Sequence, residues 1–277
     1  MGRKLCAFPY FGGKWYQLND ILPLLPDCHH YVEPFCGSAA VLLNRRPAPI
    51  ETVNDINEDL VTFFRVLREE PDALVEALRL TPYARAELWE SHAEILDDLP
   101  PVERARRFFV RTLQTRAGLG GGGRYRNSWA YGVTRSPVSR WLSHVESLHK
   151  LARRLRRVQI ECRDALEVIA AYDSPGTLFF LDPPYAFDCR EDKSRSVYIV
   201  EFSDECHRKL AEVLARVVGK VALATYESPL MRALYPEDRW QWVECGRHVV
   251  RASAHRSKPR KSEFLVTNYQ PPQRLLV

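Results

Sequence analysis

The segment TLFFLDPPY, residues 177–185, joins a buried-strand pattern to a polar turn. Its first five residues are apolar or β-branched and predict a fully buried strand, which runs into a carboxylate, two prolines and an aromatic ring. In a doubly wound α/β sheet, residues at the carboxyl end of such a strand face the ligand crevice. The prolines fix φ and stiffen the turn that presents Asp182 and Tyr185. The alternative is an ordinary proline turn in which Asp182 only caps the next segment.

A similar strand, turn and helix lie closer to the N-terminus. HYVE, residues 30–33, predicts a strand, which is followed by the small-residue turn PFCGSAA and by a helix near Val41. This is the layout in which a cofactor binds over a helix N-terminus at the first βα crossover. The GxGxxG pattern is absent, which argues against a dinucleotide site and leaves room for a smaller adenosine cofactor.

Two further carboxylates follow predicted strands. Asp55 ends the strand at 50–54 and lies 18 residues beyond Gly37, where an acid can accept hydrogen bonds from ribose hydroxyls. It could instead cap the following helix. Asp164 follows a strand that begins at Val158, and it is equally suited to an adenine amine or to capping its own helix.

The block YFGGKWY, residues 10–16, combines two glycines, a lysine and three aromatic rings besides Tyr10. The glycines permit a tight turn, while Lys14 and the rings suit a ligand that carries a carboxylate and a purine. A plain glycine turn with an exposed lysine is the alternative.

A glycine-rich basic segment, RAGLGGGGRYRN, spans residues 116–127. Arginine, tyrosine and asparagine side chains on a loop are suited to phosphates and base edges, although a solvated loop has the same composition. The predicted DNA-binding residues are Arg116, Arg124, Tyr125, Arg126 and Asn127.

The composition predicts one large domain or two unequal ones, since the chain has 277 residues and is 45% hydrophobic. The net charge of +5 is mild, but the basic residues are clustered. Seven cysteines without CxxC spacing predict reduced thiols in a cytoplasmic protein and no zinc site. No segment approaches the ~20 apolar residues of a bilayer span, so we expect neither secretion nor membrane insertion.

Four blocks, in the order YFGGK, EPFCGSA, NDIN and DPPY, resemble the Dam-type (D12 class, alpha group) DNA adenine-N6 methyltransferases. The resemblance runs from about residue 7 to residue 269. It implies an α/β fold with a doubly wound, Rossmann-like S-adenosylmethionine-dependent sheet, built from residues 1–60 and 149–277. An inserted, mainly helical target-recognition domain would occupy residues 61–148.

The resemblance also implies roles for single residues. Together with the strand-end Asp164, the predicted S-adenosylmethionine-binding residues are Tyr10, Lys14, Glu33, Phe35, Gly37, Asp55 and Asp182. The predicted catalytic residues are Asp182, Pro183, Pro184 and Tyr185. Two positions depart from the family pattern: Ala39 replaces a second glycine, and the Asn-Val-Pro-Phe-Gly hairpin is not recognisable after Tyr125.

The implied reaction is methylation of adenine N6 in double-stranded DNA after base flipping. Asp182 and a carbonyl near Pro183 would accept the amine hydrogens, and Tyr185 would stack on the base. We expect a monomer that needs no metal, and a companion restriction endonuclease is a possible partner. The alternatives are a cytosine-N4 or protein glutamine-N5 methyltransferase, or a catalytically silent nucleic-acid-binding module; aspartate at 182 and the motif order favour adenine.

Overall fold

The computed structural model describes residues 4–92, 99–116, 129–134, 136–186, 202–249 and 260–272. The strands are β1 His30–Glu33, β2 Ile50–Asn54, β3 Val158–Glu161, β4 Thr177–Leu181, β5 Lys220–Tyr226, β6 Gln241–Val249 and β7 Arg260–Thr267. The α-helices are α1 Leu18–Ile21, α2 Ala40–Asn44, α3 Glu58–Glu69, α4 Pro71–Leu80, α5 Arg85–Glu90, α6 Pro101–Leu113, α7 Pro137–Leu155, α8 Ala165–Tyr172, α9 Asp204–Leu214 and α10 Pro229–Leu234.

The strands form a seven-stranded sheet in the order β3-β2-β1-β4-β5-β7-β6. β1 pairs in parallel with both β2 and β4, and β4 pairs in parallel with β5. β7 runs antiparallel between β5 and β6. The strand order reverses between β1 and β4, which is the point where open α/β sheets bind their ligands. The predicted α/β fold with a mostly parallel sheet is therefore confirmed.

The central strand β4 begins and ends as its sequence predicts. All five of its residues are buried, and Leu178, Phe179 and Leu181 are fully inaccessible. A strand covered on both faces needs a continuous apolar run, which TLFFL supplies. Strand β2 also begins and ends at the predicted residues.

Contacts within the chain define two units. The first comprises residues 1–15, 37–44 and 55–162, and it is mainly helical, with α3, α4, α6 and α7 packed on one another. Its interior contains an aromatic cluster in which Phe8 meets Phe63 and Phe108 edge to face, both at 5.3 Å between ring centroids. Beside it, Asp59 accepts hydrogen bonds from the buried Arg111 and from Arg104.

The second unit comprises residues 16–36, 45–54 and 163–277. Strands β1, β4, β5 and β7 contribute Val32, Phe179, Val221 and Val266 to its core. Apolar residues of α8 and α9, among them Ile169 and Leu210, belong to the same core. The target-recognition domain at residues 61–148 stays a prediction.

Within the described ranges, every helix is too short or too polar to cross a lipid bilayer.

Candidate active site

The turn that follows β4 lies in the second unit. Asp182, Pro184 and Tyr185 are half-buried, whereas Pro183 is buried. The Pro184 carbonyl accepts a hydrogen bond of 3.1 Å from Nε2 of His207, which must donate to a carbonyl. His207 belongs to α9 and is 1% exposed, so the turn is fixed to a helix as well as to the central strand.

Tyr185 is held at both ends of its side chain. Its ring meets the Tyr226 ring edge to face, with 4.7 Å between centroids and 66° between planes. Its hydroxyl donates a hydrogen bond to Oε1 of Glu263, a strand residue that is 2% exposed. Burial, and then the negative charges of Glu263 and Asp182, hold the pKa of Tyr185 well above its ordinary value. The phenol therefore stays protonated and continues to donate at neutral pH.

Two predicted residues lie at the end of β1. Glu33 is buried and accepts a 2.9 Å hydrogen bond from the Tyr31 hydroxyl. Phe35 packs edge to face on Phe202, with 5.5 Å between the ring centroids. Because β1 and β4 are adjacent and parallel, Glu33 and Phe35 lie at the same edge of the sheet as Asp182, where both strands end.

Three predicted residues meet in the first unit, namely Tyr10, Gly37 and Asp55. The Gly37 amide donates a 3.0 Å hydrogen bond to Asp55 Oδ2. Gly37 has a positive φ of 47°, and a Cβ at this position would lie 3.0 Å from Cδ1 of the Tyr10 ring. The absent side chain therefore allows the ring to pack directly on the glycine backbone. We call this group the Tyr10–Gly37–Asp55 cradle.

Asp55 is not the cap of the helix that follows it. The N-cap of α3 is Asn57, whose side chain accepts from the amides of Asp59 and Leu60. Asp55 Oδ1 instead accepts from the Asn57 amide at 3.0 Å. Burial raises the pKa of the Asp55 carboxyl, and hydrogen bonds from backbone amides, including those of Asn57 and Gly37, oppose that rise. The capping alternative for Asp55 is thus wrong.

The lysine of the glycine-rich block is not an exposed turn residue. Lys14 is 3% exposed, and its Nζ donates to the Gly12 carbonyl at 2.9 Å. The Gly13 amide donates to the Tyr10 carbonyl, and a Cβ on Gly13 would lie 3.2 Å from Ser38 Oγ. The block therefore packs tightly against the turn that contains Gly37, within the first unit.

Asp164 is the N-cap of α8, since its Oδ1 accepts from the Leu166 amide at 2.8 Å. The capping alternative holds for this residue, and its contact with a cofactor stays a prediction. The neighbouring structure depends on Asn54, which sequence reasoning missed. Asn54 donates to the Pro34 and Arg163 carbonyls and accepts from the Arg163 amide.

Aromatic and basic side chains meet on the surface of the first unit. The Arg116 guanidinium lies over the Tyr131 ring at 5.2 Å, and that of Arg85 lies over the Trp129 ring at 4.8 Å. The Trp129 and Tyr131 rings are stacked with 6.1 Å between centroids. These rings line an open groove of about 430 Å³, whose wall also includes Tyr83. We call it the aromatic groove.

The sequence pointed to Arg116 but missed the other members of the aromatic groove. The W-A-Y spacing was the available signal, because alternate residues of an extended segment share one face. The other predicted DNA-binding residues, Arg124, Tyr125, Arg126 and Asn127, lie outside the described residues.

Among the residues that the structure describes, no cluster of three or more His, Cys, Asp or Glu side chains is arranged to hold a metal ion.

Comparison with known proteins identifies relatives along nearly the whole chain. A DNA adenine methylase of Vibrio cholerae is 24% identical over 93% of this chain and 94% of its own length. A DNA adenine methylase of Escherichia coli K12 is 24% identical over 98% of this chain and 97% of its own. A type II methyltransferase of Lactococcus lactis subsp. cremoris is 27% identical over 93% of both chains.

A family model, that of the D12 class N6 adenine-specific DNA methyltransferases, matches residues 10–249. The match includes the Tyr10 block, the Gly37 turn, Asp55 and the Asp182 turn. It confirms the adenine-N6 interpretation over cytosine-N4, glutamine-N5 and catalytically silent alternatives. The chain belongs to the D12 class of N6 adenine-specific DNA methyltransferases.

Proposed function

We propose that this chain transfers a methyl group from S-adenosylmethionine to the exocyclic N6 amine of an adenine flipped out of duplex DNA. One observation carries the assignment of the reacting residues. The turn with Asp182 and Tyr185 ends a fully buried strand at the point where the strand order reverses, and it is fixed by His207, Tyr226 and Glu263. A carboxylate and a ring are thereby preorganised for one planar base that carries an amine.

The adenine amine is a weak nucleophile because its lone pair is delocalised into the ring. Asp182 accepts one amine hydrogen, and we assign the other to the Pro183 carbonyl, since the Pro184 carbonyl accepts from His207. These acceptors favour the pyramidal amine with a localised lone pair. The Asp182 carboxylate also stabilises the positive charge that develops on nitrogen and helps to remove the proton.

Tyr185 serves the base through its ring. Stacking replaces part of the few kcal/mol lost when a base leaves the duplex. Because the Tyr185 hydroxyl is hydrogen-bonded to Glu263 and the ring contacts Tyr226, the ring is held by the protein and does not depend on the base for its orientation.

The Tyr10–Gly37–Asp55 cradle fits an adenosine cofactor. Asp55 offers carboxylate oxygens to ribose hydroxyls, and Tyr10, which packs on the Gly37 backbone, offers a flat ring beside them. We assign further contacts to Lys14, Glu33, Phe35 and Asp164, as the motifs imply. When bound, S-adenosylmethionine supplies a methyl group on a sulfonium that leaves as a neutral thioether.

The aromatic groove is the DNA-contacting surface that we assign in the first unit. Guanidinium groups attract phosphates, and exposed aromatic faces stack on unpaired bases. The side chain of Tyr131 is 56% exposed and therefore accessible to a nucleic acid. We also propose a companion restriction endonuclease, because one relative is named a type II methyltransferase. We further propose that the protein acts as a monomer in the cytoplasm.

The test is methyl transfer to DNA by the wild type and Asp182→Ala, followed by nucleoside analysis. The wild type should produce N6-methyladenine. The variant should lose roughly 100-fold or more in rate with a smaller change in cofactor affinity, because one preorganised contact is worth about 3 kcal/mol in the transition state. Glu205→Ala, on the exposed face of α9, is the control. N4-methylcytosine as the product, or near-normal turnover in Asp182→Ala, would sink the proposal.

A further inference from the structure

We infer that Glu263 is a positioning residue, which orients the Tyr185 ring for the target base. This inference rests on the proposed role of Tyr185 and extends it to a strand residue 78 positions further along the chain. Glu263 itself touches neither the reacting amine nor the methyl group in this proposal. It acts through the Tyr185 hydroxyl.

The location of Glu263 follows from the sheet. Glu263 lies on β7 and pairs with Tyr226 of β5 in antiparallel register. It is 2% exposed, although a buried carboxylate is costly unless hydrogen bonds satisfy it. Oε1 accepts from the Tyr185 hydroxyl and Oε2 accepts from Gln17 Nε2, so both oxygens have donors. The carboxylate is therefore held from two sides and points at the end of the Tyr185 ring.

Two contacts together define the plane of the Tyr185 ring. A tyrosine hydroxyl lies on the χ2 axis, so its hydrogen bond to Glu263 fixes the direction of the side chain but permits rotation of the ring about that axis. The edge-to-face contact with Tyr226, at 4.7 Å, opposes that rotation. Stacking on a base depends on the ring plane, and both contacts are therefore needed.

Glutamate provides a strong hydrogen-bond acceptor at this position. Hydrogen bonds to an ionised acceptor are about twice as strong as bonds between neutral groups. Because Tyr185 keeps its proton at neutral pH, its hydroxyl remains a donor to Glu263 at that pH. The contact thus persists whether or not a base is stacked on the ring.

The test is a double-mutant cycle at Glu263 and Tyr185, with kcat measured at saturating DNA and S-adenosylmethionine. Glu263→Ala should lower kcat by about tenfold to a hundredfold, the range expected of one charged hydrogen bond. Affinity for S-adenosylhomocysteine should stay within about twofold, because the residue acts through Tyr185. In the Tyr185→Phe background, the same alanine substitution should cost less than about twofold, because the hydroxyl is already missing.

Conservative rescue separates positioning from a general effect on folding. Glu263→Gln keeps a carbonyl acceptor for Tyr185, and a flipped Gln17 amide can then accept from its NH2 group. This variant should recover most of the kcat that the alanine variant loses. With 2-aminopurine in place of the target adenine, Glu263→Ala should shift the fluorescence of the bound duplex, and Glu263→Gln should restore the wild-type signal.

Equal losses from Glu263→Ala in the wild-type and Tyr185→Phe backgrounds would overturn the inference, as would a normal kcat in the alanine variant. If Glu263→Ala fails to fold, Tyr185→Phe carries the test, and an unchanged kcat in that variant is the overturning result. Glu205→Ala is again the control. If the wild type is active, Asp182→Ala is inactive and Glu263→Ala has normal activity, only this inference is refuted. If the wild type is inactive, the proposed function is refuted.

Discussion

The Gly37 amide donates a 3.0 Å hydrogen bond to Asp55 Oδ2, which joins two motifs that are 18 positions apart in the chain. The bond has two consequences. It holds the backbone of the Gly37 turn, and it aims the carboxylate of Asp55. Substitutions at Asp55 therefore change both the shape of the cradle and its acceptors.

Asp55→Ala should weaken binding of S-adenosylhomocysteine by roughly tenfold to a hundredfold, since one hydrogen bond to a charged acceptor contributes about 1.5–3 kcal/mol. Calorimetric titration measures the change, and DNA affinity should be affected less. The matched control is Asn57→Ala, which removes the α3 cap and should cost about 1 kcal/mol of folding free energy while cofactor affinity is kept. An unchanged dissociation constant in Asp55→Ala would leave the residue with only a structural role.

Cofactor affinity should fall in acid at a higher pH than an ordinary aspartate would give, because burial raises the pKa of Asp55. Affinity is present above that pKa and is lost as the pH falls through it. As the pH falls, the folded protein takes up this proton at a higher pH than the unfolded chain does. Between the two pKa values, protonation of Asp55 therefore does not promote unfolding. Asp55→Asn should bind more weakly but without this pH dependence; the same acid limb in both proteins would assign the titration to another group.

Gly37→Ala should damage the cradle through both backbone and side chain. A φ of 47° costs an L-residue about 1–2 kcal/mol, and the new Cβ would lie 3.0 Å from the Tyr10 ring. We expect a lower melting temperature and weaker S-adenosylhomocysteine binding, measured by thermal denaturation and calorimetry. Wild-type values for both quantities would show that the turn can shift without consequence.

Ala39→Gly should have the opposite effect on stability. Ala39 has a positive φ of 51°, where an L-residue is strained by about 1–2 kcal/mol. The greater backbone entropy of glycine in the unfolded chain offsets about 0.5–1 kcal/mol of the relief. Urea denaturation should therefore show a net gain of up to about 1.5 kcal/mol, and a clear loss would contradict the strain assigned to this residue.

Arg116→Ala and Tyr131→Ala should weaken DNA binding in different ways. Loss of a phosphate contact at Arg116 should reduce the steepness of the plot of log affinity against log salt concentration by about 0.9. Loss of a stacking ring at Tyr131 should cost about 1–3 kcal/mol and leave that slope unchanged. Titration at several salt concentrations distinguishes them, with the exposed Arg239→Ala as control. If neither variant differs from that control, the aromatic groove does not contact DNA.

The sequence predicted the parts of the site that depend on local patterns. The apolar run that ends at Asp182 and the acid that follows β2 need only neighbouring residues to be recognised. Asp164 could not be assigned, because the same local signal describes a helix cap and a ligand-binding acid. Glu263 was missed as a partner of Tyr185, since their contact depends on the register between β5 and β7. Trp129 and Tyr131 lie beyond the glycine-rich segment, and the W-A-Y spacing alone does not distinguish a surface groove from an ordinary strand face.

The position of β7 between β5 and β6 has a consequence for incomplete chains. Both of these strands use β7 as a hydrogen-bonding partner, and β7 follows both along the chain. A translation product that stops before residue 260 would leave the β5 edge unpaired, and a bare hydrophobic edge recruits other strands. Such fragments should aggregate, because the unpaired β5 edge can pair with strands of other chains.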